Sequence, residues 1–347
     1  MRRKVPYLLS YFLQTLYGMA DLFIVGQFYG ADCITAVSVG SQVMHMVTVM
    51  IVGLAMGSTV TIGRAVGAKE LKRASLTVGN TISLFIGGLH LGAAGAALGT
   101  TLSQTFSVIV ALLVVIRRKV GITLHRTDFK PQMATIRQIL TIGVPVALQD
   151  GFVQISFIVI TVIANRRGLS DAAAVGIVEK IISLVFLVPS TMLSTVSALS
   201  AQNIGAGKHD RAAATLRYAI CMAIGFGLVI GVVTQFVGAD VVGLFTADAI
   251  VVTMGEEYIR SYIWDCAIAG IHFCFSGYFC AYGMSGIPFL YTILSIICVR
   301  VPGAYFASLY FPDNLYPMGL AAPGGSLLSV IVCLIAFAVL RKRRDLK

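Results

Sequence analysis

Ten long apolar runs constrain the fold of this chain more than any other feature. Most are near or above the roughly 20 residues that an α-helix needs to cross a bilayer. The runs are 6–28, 35–63, 75–91, 93–116, 139–164, 172–203, 212–237, 257–282, 287–309 and 319–340. In lipid only α-helices and closed barrels satisfy their backbone hydrogen bonds, and runs of this length exclude a barrel. We therefore predict an all-α, polytopic membrane helix bundle.

The composition agrees with a membrane protein. The chain has 347 residues, of which 57% are hydrophobic and 12% charged, and its mean hydropathy is +0.89. A soluble chain of this length could not shield so much apolar surface. The seven cysteines lack metal-type spacing and lie mostly inside the runs, so we expect no cofactor and no disulfide framework.

The net charge of +11 reflects membrane topology rather than nucleic-acid binding. If the spans alternate, most of the 26 Lys and Arg residues fall on one side of the membrane. They form five segments: Arg2–Lys4, Arg64–Arg73, Arg117–Arg137, Lys208–Arg217 and Arg341–Lys347. The opposite side carries only Arg166 and Arg167 in its loops. The asymmetry predicts that both termini are cytoplasmic, and we expect the lipid bilayer and no nucleic acid as a partner.

Asp21 is the strongest candidate for a functional residue. It lies deep inside the first apolar run, where a carboxylate is costly and usually faces an ion or substrate path. Gln14 and Tyr17 precede it by seven and four residues, so helical spacing places all three near one face. A polar stripe of this kind points into the protein rather than at lipid.

The sequence also repeats itself internally. Gly67-Ala68 and Arg73-Ala74 match Gly205-Ala206 and Arg211-Ala212 at an offset of 138, and each stretch opens a basic loop. Two repeats of the same orientation predict two lobes related by an axis along the membrane normal, which is a transporter architecture.

A later match indicates that the first repeat is shorter. Gly92 and Ala94 correspond best to Gly319 and Ala321, at an offset of 227, so 89 residues have no counterpart in the first lobe. We predict lobes of four and six helices. The expected division is 1–118 for the first lobe, 119–137 for a cytoplasmic linker, 138–341 for the second lobe and 342–347 for a basic cytoplasmic tail.

Several motifs resemble the MATE (multidrug and toxic-compound extrusion) family, in its DinF-like branch. Residues 16–26 and 63–69 resemble the start of such a transporter, and 92–101 its sixth helix. Ile142-Gly143-Val144-Pro145 resembles the seventh helix. The sequence 202–208 is similar to the loop after the eighth helix, and 244–246 fits the loop after the ninth.

The resemblance implies a monomeric, multi-pass protein of a bacterial plasma membrane that exports amphipathic organic cations in exchange for Na⁺ or H⁺. The family's coupling aspartate falls on Asp21, which makes it a candidate Na⁺ ligand. Acidic positions of the second lobe match less well: Gln154 lies near one of them with Asp150 one turn earlier, and Asp265 is out of step with another. Glu179 fits either a structural role or substrate contact.

Other functions are less well supported by the residues. Gly205-Ala206-Gly207-Lys208 resembles a phosphate loop, but His209 stands where Ser or Thr is needed. Gly283-Met284-Ser285-Gly286 matches a rhomboid-like G-x-S-G, but no histidine follows Ser285. We therefore expect no enzyme. A lipid-linked saccharide flippase and an inactive transporter remnant stay open as alternatives, the latter because of the shortened first lobe.

Overall fold

The structure is a computed structural model that describes residues 53, 56–83 and 130–345, and every regular element in these ranges is helical. The first helix, α1, comprises residues 56–67. The others are α2 (Leu71–Ser83), α3 (Met133–Arg167), α4 (Leu169–Val185), α5 (Leu187–Gly205), α6 (His209–Gly243), α7 (Ala249–Tyr262), α8 (Asp265–Ala281), α9 (Gly286–Ser295), a π segment (Ile296–Arg300), α10 (Val301–Tyr310), α11 (Tyr316–Gly319) and α12 (Ala321–Asp345). Gln14, Tyr17 and Asp21 lie outside the described residues.

The second half of the chain contains six candidate membrane spans. Five helical segments are long and apolar enough to cross a membrane: Met133–Arg167, Leu169–Gly205, His209–Gly243, Gly286–Tyr310 and Tyr316–Leu340. The sixth is the bent pair α7 and α8. Each coincides with one of the last six runs predicted from the sequence, and the prediction of an all-α membrane bundle is confirmed.

Two of these spans are less regular than their apolar runs suggested. The run 257–282 predicted one straight crossing, but α7 and α8 meet at an angle of 43° after a break at Ile263 and Trp264. Asp248 caps α7, because its side chain accepts a hydrogen bond from Ile250 N at 2.9 Å, so that the helix begins well before residue 257. In the next span the π segment ends two residues before Pro302, whose missing N–H interrupts α-helical hydrogen bonding.

The repeat is visible in the backbone. Helix α1 ends at residue 67 and α2 begins at Leu71, whereas α5 ends at Gly205 and α6 begins at His209. Both boundaries are related by the offset of 138. Within each turn one residue has a left-handed backbone, Lys69 at φ 62° and Gly207 at φ 72°, again 138 positions apart. The same local structure therefore occurs twice, with glycine at only one of the two left-handed positions.

Three buried clusters organise the described residues. The first fills the second half of the chain between α3, α4 and α7, and the second joins α5, α6, α8 and α12. The third links the two halves of the chain: Met56 and Val60 of α1 pack with Ile142 and Val146 of α3 and with Ala201 of α5. This last cluster fixes α1 against the second repeat and positions the contacts described next.

Candidate functional site

Two repeat-related glycines bring α1 and α5 into backbone contact. A Cβ atom on Gly67 would lie 2.8 Å from the carbonyl carbon of Gln202 and closer still to its oxygen. A Cβ atom on Gly205 would lie 2.8 Å from the carbonyl carbon of Arg64, again closer to the oxygen. Since Gln202 is the repeat counterpart of Arg64, the two contacts are the same contact made twice. An approximate two-fold axis therefore passes between α1 and α5, and neither glycine leaves room for a side chain.

We call this contact between α1 and α5 the seal, and Arg64 adds a polar clamp to it. Its Nε donates a hydrogen bond of 2.8 Å to the carbonyl oxygen of Ala281, the last residue of α8, and a terminal nitrogen donates to the same oxygen. The C-terminal carbonyls of a helix carry partial negative charge and favour a cation. Burial lowers the pKa of the Arg64 guanidinium, as does Arg73, whereas Tyr282 raises it. Arginine is not deprotonated in proteins, so the guanidinium stays charged at neutral pH.

A cleft of about 410 Å³ lies beside the seal. Its lining residues are Thr61, Arg64, Ala65, Ala68, Glu70, Arg73, Gln138, Ile204, Gly205, His209 and Tyr282. Arg73 pairs with Glu70 at 3.2 Å, and His209 Nδ1 lies 3.0 Å from the Tyr282 hydroxyl, with the two rings stacked. The cleft therefore joins residues from both repeats, on the side that the basic loops predict to be cytoplasmic.

A second polar site lies inside the second half of the chain, around Arg300. The guanidinium donates a hydrogen bond of 2.6 Å to the Tyr262 hydroxyl and sits over the Phe157 ring, 4.5 Å from its centroid. It interacts electrostatically with Asp265 and Glu179, which are 1% and 4% exposed. Two buried carboxylates and one guanidinium therefore interact electrostatically inside the second half of the chain.

Each carboxylate of this site also has a polar neighbour. The Thr161 hydroxyl lies 3.4 Å from Glu179 Oε2, and Asp265 interacts with Ser326. Among the described residues, Asp265 Oδ1 and Arg300 Nε have no hydrogen-bond partner. Buried polar atoms of this kind are uncommon in folded proteins.

The structure brings together two of the predicted site residues and separates the others. Glu179 and Asp265, from α4 and α8, both interact electrostatically with Arg300, so Asp265 lies in a polar site although it is out of step with the family pattern. Asp150 and Gln154 lie on α3, and Asp150 interacts electrostatically with Cys280 instead. Arg300 was not predicted as a site residue. The signal that could have identified it is a positive charge in the middle of an apolar run, two positions before Pro302.

The two enzyme-like motifs have structural roles. Gly205-Ala206-Gly207-Lys208 forms the turn between α5 and α6, with Gly205 pressed against Arg64. Ser285 is 1% exposed and donates a hydrogen bond of 3.1 Å to the Thr141 carbonyl, so it is held away from solvent. Neither geometry suits nucleotide binding or nucleophilic attack.

Comparison with known proteins identifies the family. The MatE family model matches residues 6–124 and 145–306, which is most of the chain. The chain belongs to the MATE family. MATE proteins are membrane transporters, so the predictions of a MATE-like transporter and of a non-enzyme are confirmed.

Named relatives of this MATE chain are bacterial. YoeA of Bacillus subtilis (strain 168), a probable multidrug resistance protein, is 21% identical over 418 aligned positions, covering 94% of this chain and 90% of YoeA. MepA of Staphylococcus aureus (strain N315), a multidrug export protein, is 26% identical over 220 positions, covering 62% of this chain but only 48% of MepA.

Solved MATE structures share the fold. An outward-facing multidrug resistance MATE transporter of the MOP superfamily superposes with a TM-score of 0.82 at 18% identity, covering 98% of this chain and 96% of that one. A MATE in complex with MaL6 gives the same score and coverage. The two-lobed architecture predicted from the repeat is therefore the architecture of this chain.

Proposed function

We propose that the chain is a secondary active exporter of amphipathic organic cations that runs by antiport with Na⁺ or H⁺. Asp21 is the proposed coupling residue and, for Na⁺, a ligand. We place the transporter in a bacterial plasma membrane, as a monomer with cytoplasmic termini. The names of YoeA, a probable multidrug resistance protein, and of MepA, a multidrug export protein, support the substrate class.

The observation that carries the proposal is the pair of carboxylates buried in the second lobe. Glu179 and Asp265 lie inside candidate spans and are 4% and 1% exposed. When ionised, such carboxylates attract cations and repel anions. A lipid-linked saccharide flippase would instead need an excess of Arg and Lys to hold a pyrophosphate, so the polarity favours cation export.

Dye binding and dye export test the proposed function. Purified protein should bind ethidium, and Asp21→Asn should remove most of the binding while the protein stays folded in detergent. Neutralisation of Asp21 should release the dye, because charge pairing is part of the attraction. Unchanged ethidium binding by Asp21→Asn would contradict the coupling role. Binding of an anionic saccharide lipid in place of ethidium would favour the flippase.

We further propose that the 347-residue chain transports poorly because its first lobe lacks a segment. The alignment with YoeA is 71 positions longer than the whole chain (418 against 347), which supports a long internal gap. Alternating access needs two lobes that seal on each side in turn. Insertion of the corresponding YoeA segment between Ala74 and Gly92 should raise ethidium export in vesicles. Vigorous, Asp21-dependent export by the unmodified chain would refute this proposal and the reading as a remnant.

A further inference from the structure

Pro145 removes one backbone hydrogen-bond donor from the middle of α3. Proline has no N–H, so residue 145 cannot donate the usual α-helical hydrogen bond to the carbonyl of Thr141. The helix nevertheless continues on both sides of Pro145, from Met133 to Arg167. In a membrane helix a carbonyl freed in this way is satisfied by a neighbouring side chain or by water.

Ser285 supplies a donor to this carbonyl. Its hydroxyl donates a hydrogen bond of 3.1 Å to the Thr141 oxygen, and the side chain is 1% exposed. Ser285 is also the N-cap residue of α9, where a serine oxygen ordinarily accepts a hydrogen bond from the first turn. In the described part of the chain it makes no such capping bond. The hydroxyl therefore serves α3 rather than its own helix.

The part of α3 before Pro145 is hydrogen-bonded to the first repeat. We call residues 133–141 the α3 arm. At its start the N–H of Gln132 donates to Asn80 Oδ1 at 2.6 Å, and within it Gln138 Oε1 accepts from Arg73 at 3.3 Å. Asn80 and Arg73 belong to α2. The arm is thus continuous with the second lobe in sequence but attached to α2 by its polar contacts.

The turn that carries Ser285 also contacts the first repeat, through α1. Arg64 holds the carbonyl of Ala281 at 2.8 Å, and a Cβ atom on Gly283 would lie 3.2 Å from a terminal nitrogen of the same guanidinium. Helix α1 packs closely on the arm as well, since a Cβ atom on Gly57 would lie 3.0 Å from the carbonyl carbon of Ile139. The hydrogen bond between Ser285 and Thr141 therefore lies among the contacts that join the two repeats.

We propose that Ser285 is a positioning residue of the transport cycle, whose hydroxyl replaces the hydrogen bond that Pro145 removes and holds the α3 arm in its orientation while α1 and α5 touch. When the seal opens, the arm follows α2 and the bond to Ser285 breaks. Because residue 145 has no N–H, the arm can turn there without breaking a backbone hydrogen bond from that residue. The inference concerns movement at the seal and holds whichever substrate or ion is carried.

Distances between two spin labels test this movement. Met133→Cys on the arm and Leu294→Cys in α9, both at exposed positions, carry the labels in a background without the native cysteines. Double electron–electron resonance on purified protein in detergent gives the distribution of distances. Ser285→Ala should raise the ratio of long to short distances roughly 2- to 12-fold, which is the effect of losing one neutral hydrogen bond on an equilibrium.

Ser156→Ala is the matched control. Ser156 is also 1% exposed and lies on α3, but its hydroxyl donates to the Val153 carbonyl of its own helix at 2.8 Å. Its loss should leave the ratio of distances unchanged. A distribution in Ser285→Ala equal to that of the parent overturns the proposal, and a lowered melting temperature in that case identifies a hydroxyl that only stabilises the fold.

Pro145→Ala tests the link between the two residues. Alanine returns an N–H to residue 145, which can then donate to the Thr141 carbonyl in ordinary helical geometry. In this background Ser285→Ala should change the ratio no further, because the two substitutions act on the same carbonyl. An equal effect of Ser285→Ala in both backgrounds also overturns the proposal. If Pro145→Ala does not fold, the comparison of Ser285→Ala with Ser156→Ala decides alone.

Discussion

Gly205→Ala should open the seal between α1 and α5. The added methyl group would meet the backbone carbonyl of Arg64, with its Cβ 2.8 Å from the carbonyl carbon and 2.9 Å from Cα. Backbone atoms cannot rotate away as a flexible side chain would, so the two helices must separate. Overpacking of this kind costs about 1–3 kcal/mol.

We call the conformation in which α1 and α5 touch the closed state, and the one in which they are apart the open state. The methyl group clashes only in the closed state, so its free-energy cost shifts the equilibrium towards the open state. A coupling of about 1–3 kcal/mol corresponds to a change of roughly 5- to 150-fold in that equilibrium. The population of the closed state should fall by this factor, while the rest of the fold keeps its stability.

Alkylation of a cysteine in the cleft measures the change. Ala65, 3% exposed and part of the cleft lining, is replaced by cysteine in a background without the native cysteines. A membrane-impermeant maleimide added to inside-out vesicles should modify this cysteine several times faster in Gly205→Ala. Gly225→Ala is the control, because a Cβ atom there meets no heavy atom within 4 Å.

Two results would refute the reasoning. An alkylation rate equal to that of the parent, in a variant with an unchanged melting temperature, would mean that the seal is not closed by this contact. An equal acceleration in Gly225→Ala would mean that the effect arises from alanine in a helix rather than from the clash with Arg64.

Four further substitutions have expected outcomes. Arg167→Gln should lower the free energy of unfolding by about 3 kcal/mol, measured by thermal unfolding, because it leaves Asp171 buried: the pair is 2.8 Å apart with both side chains 6% exposed. Lys69→Gly should leave the melting temperature unchanged or raise it by a few degrees, whereas Gly207→Ala should lower it, since both positions have a left-handed backbone. Arg64→Gln should speed alkylation in the cleft by about tenfold, since hydrogen bonds from a charged donor contribute about 1.5–3 kcal/mol.

Much of the fold could be predicted because membrane-spanning helices appear in the sequence as long apolar runs. Apolar runs marked the six candidate spans of the second half, and the offset of 138 anticipated that the turns at Lys69 and Gly207 would match. The break at Ile263 and Trp264 could not be predicted, because no proline or glycine marks it. Local sequence there is compatible with a straight helix, and only tertiary packing selects the bend.

The polar sites were predictable by residue type but not by partner. A carboxylate in mid-span drew attention to Glu179 and Asp265 individually. Their convergence on Arg300 depends on how α4, α8 and the π segment pack, and the sequence places these elements far apart. The prediction for Asp21, with Gln14 and Tyr17, rests on its position deep in the first apolar run and on the family resemblance. It stays a prediction, as do the lobe boundaries, the DinF-like assignment and the internal gap.

The proposed gap in the first lobe would have a specific consequence for the seal between α1 and α5. Arg64 clamps onto the end of α8 at Ala281, and the two-fold relation assigns the equivalent clamp to Gln202. Ala281 lies between Ala212 and Gly319, in the stretch that has no counterpart in the first lobe under the proposed gap. Under that gap Gln202 would lack an equivalent helix end, and among the described residues it is exposed whereas Arg64 is half-buried. With one clamp in place of two, closure would depend on the glycine contact more heavily than in a transporter that has both clamps. A restored segment should accordingly act on the closing equilibrium itself, in addition to completing the cavity.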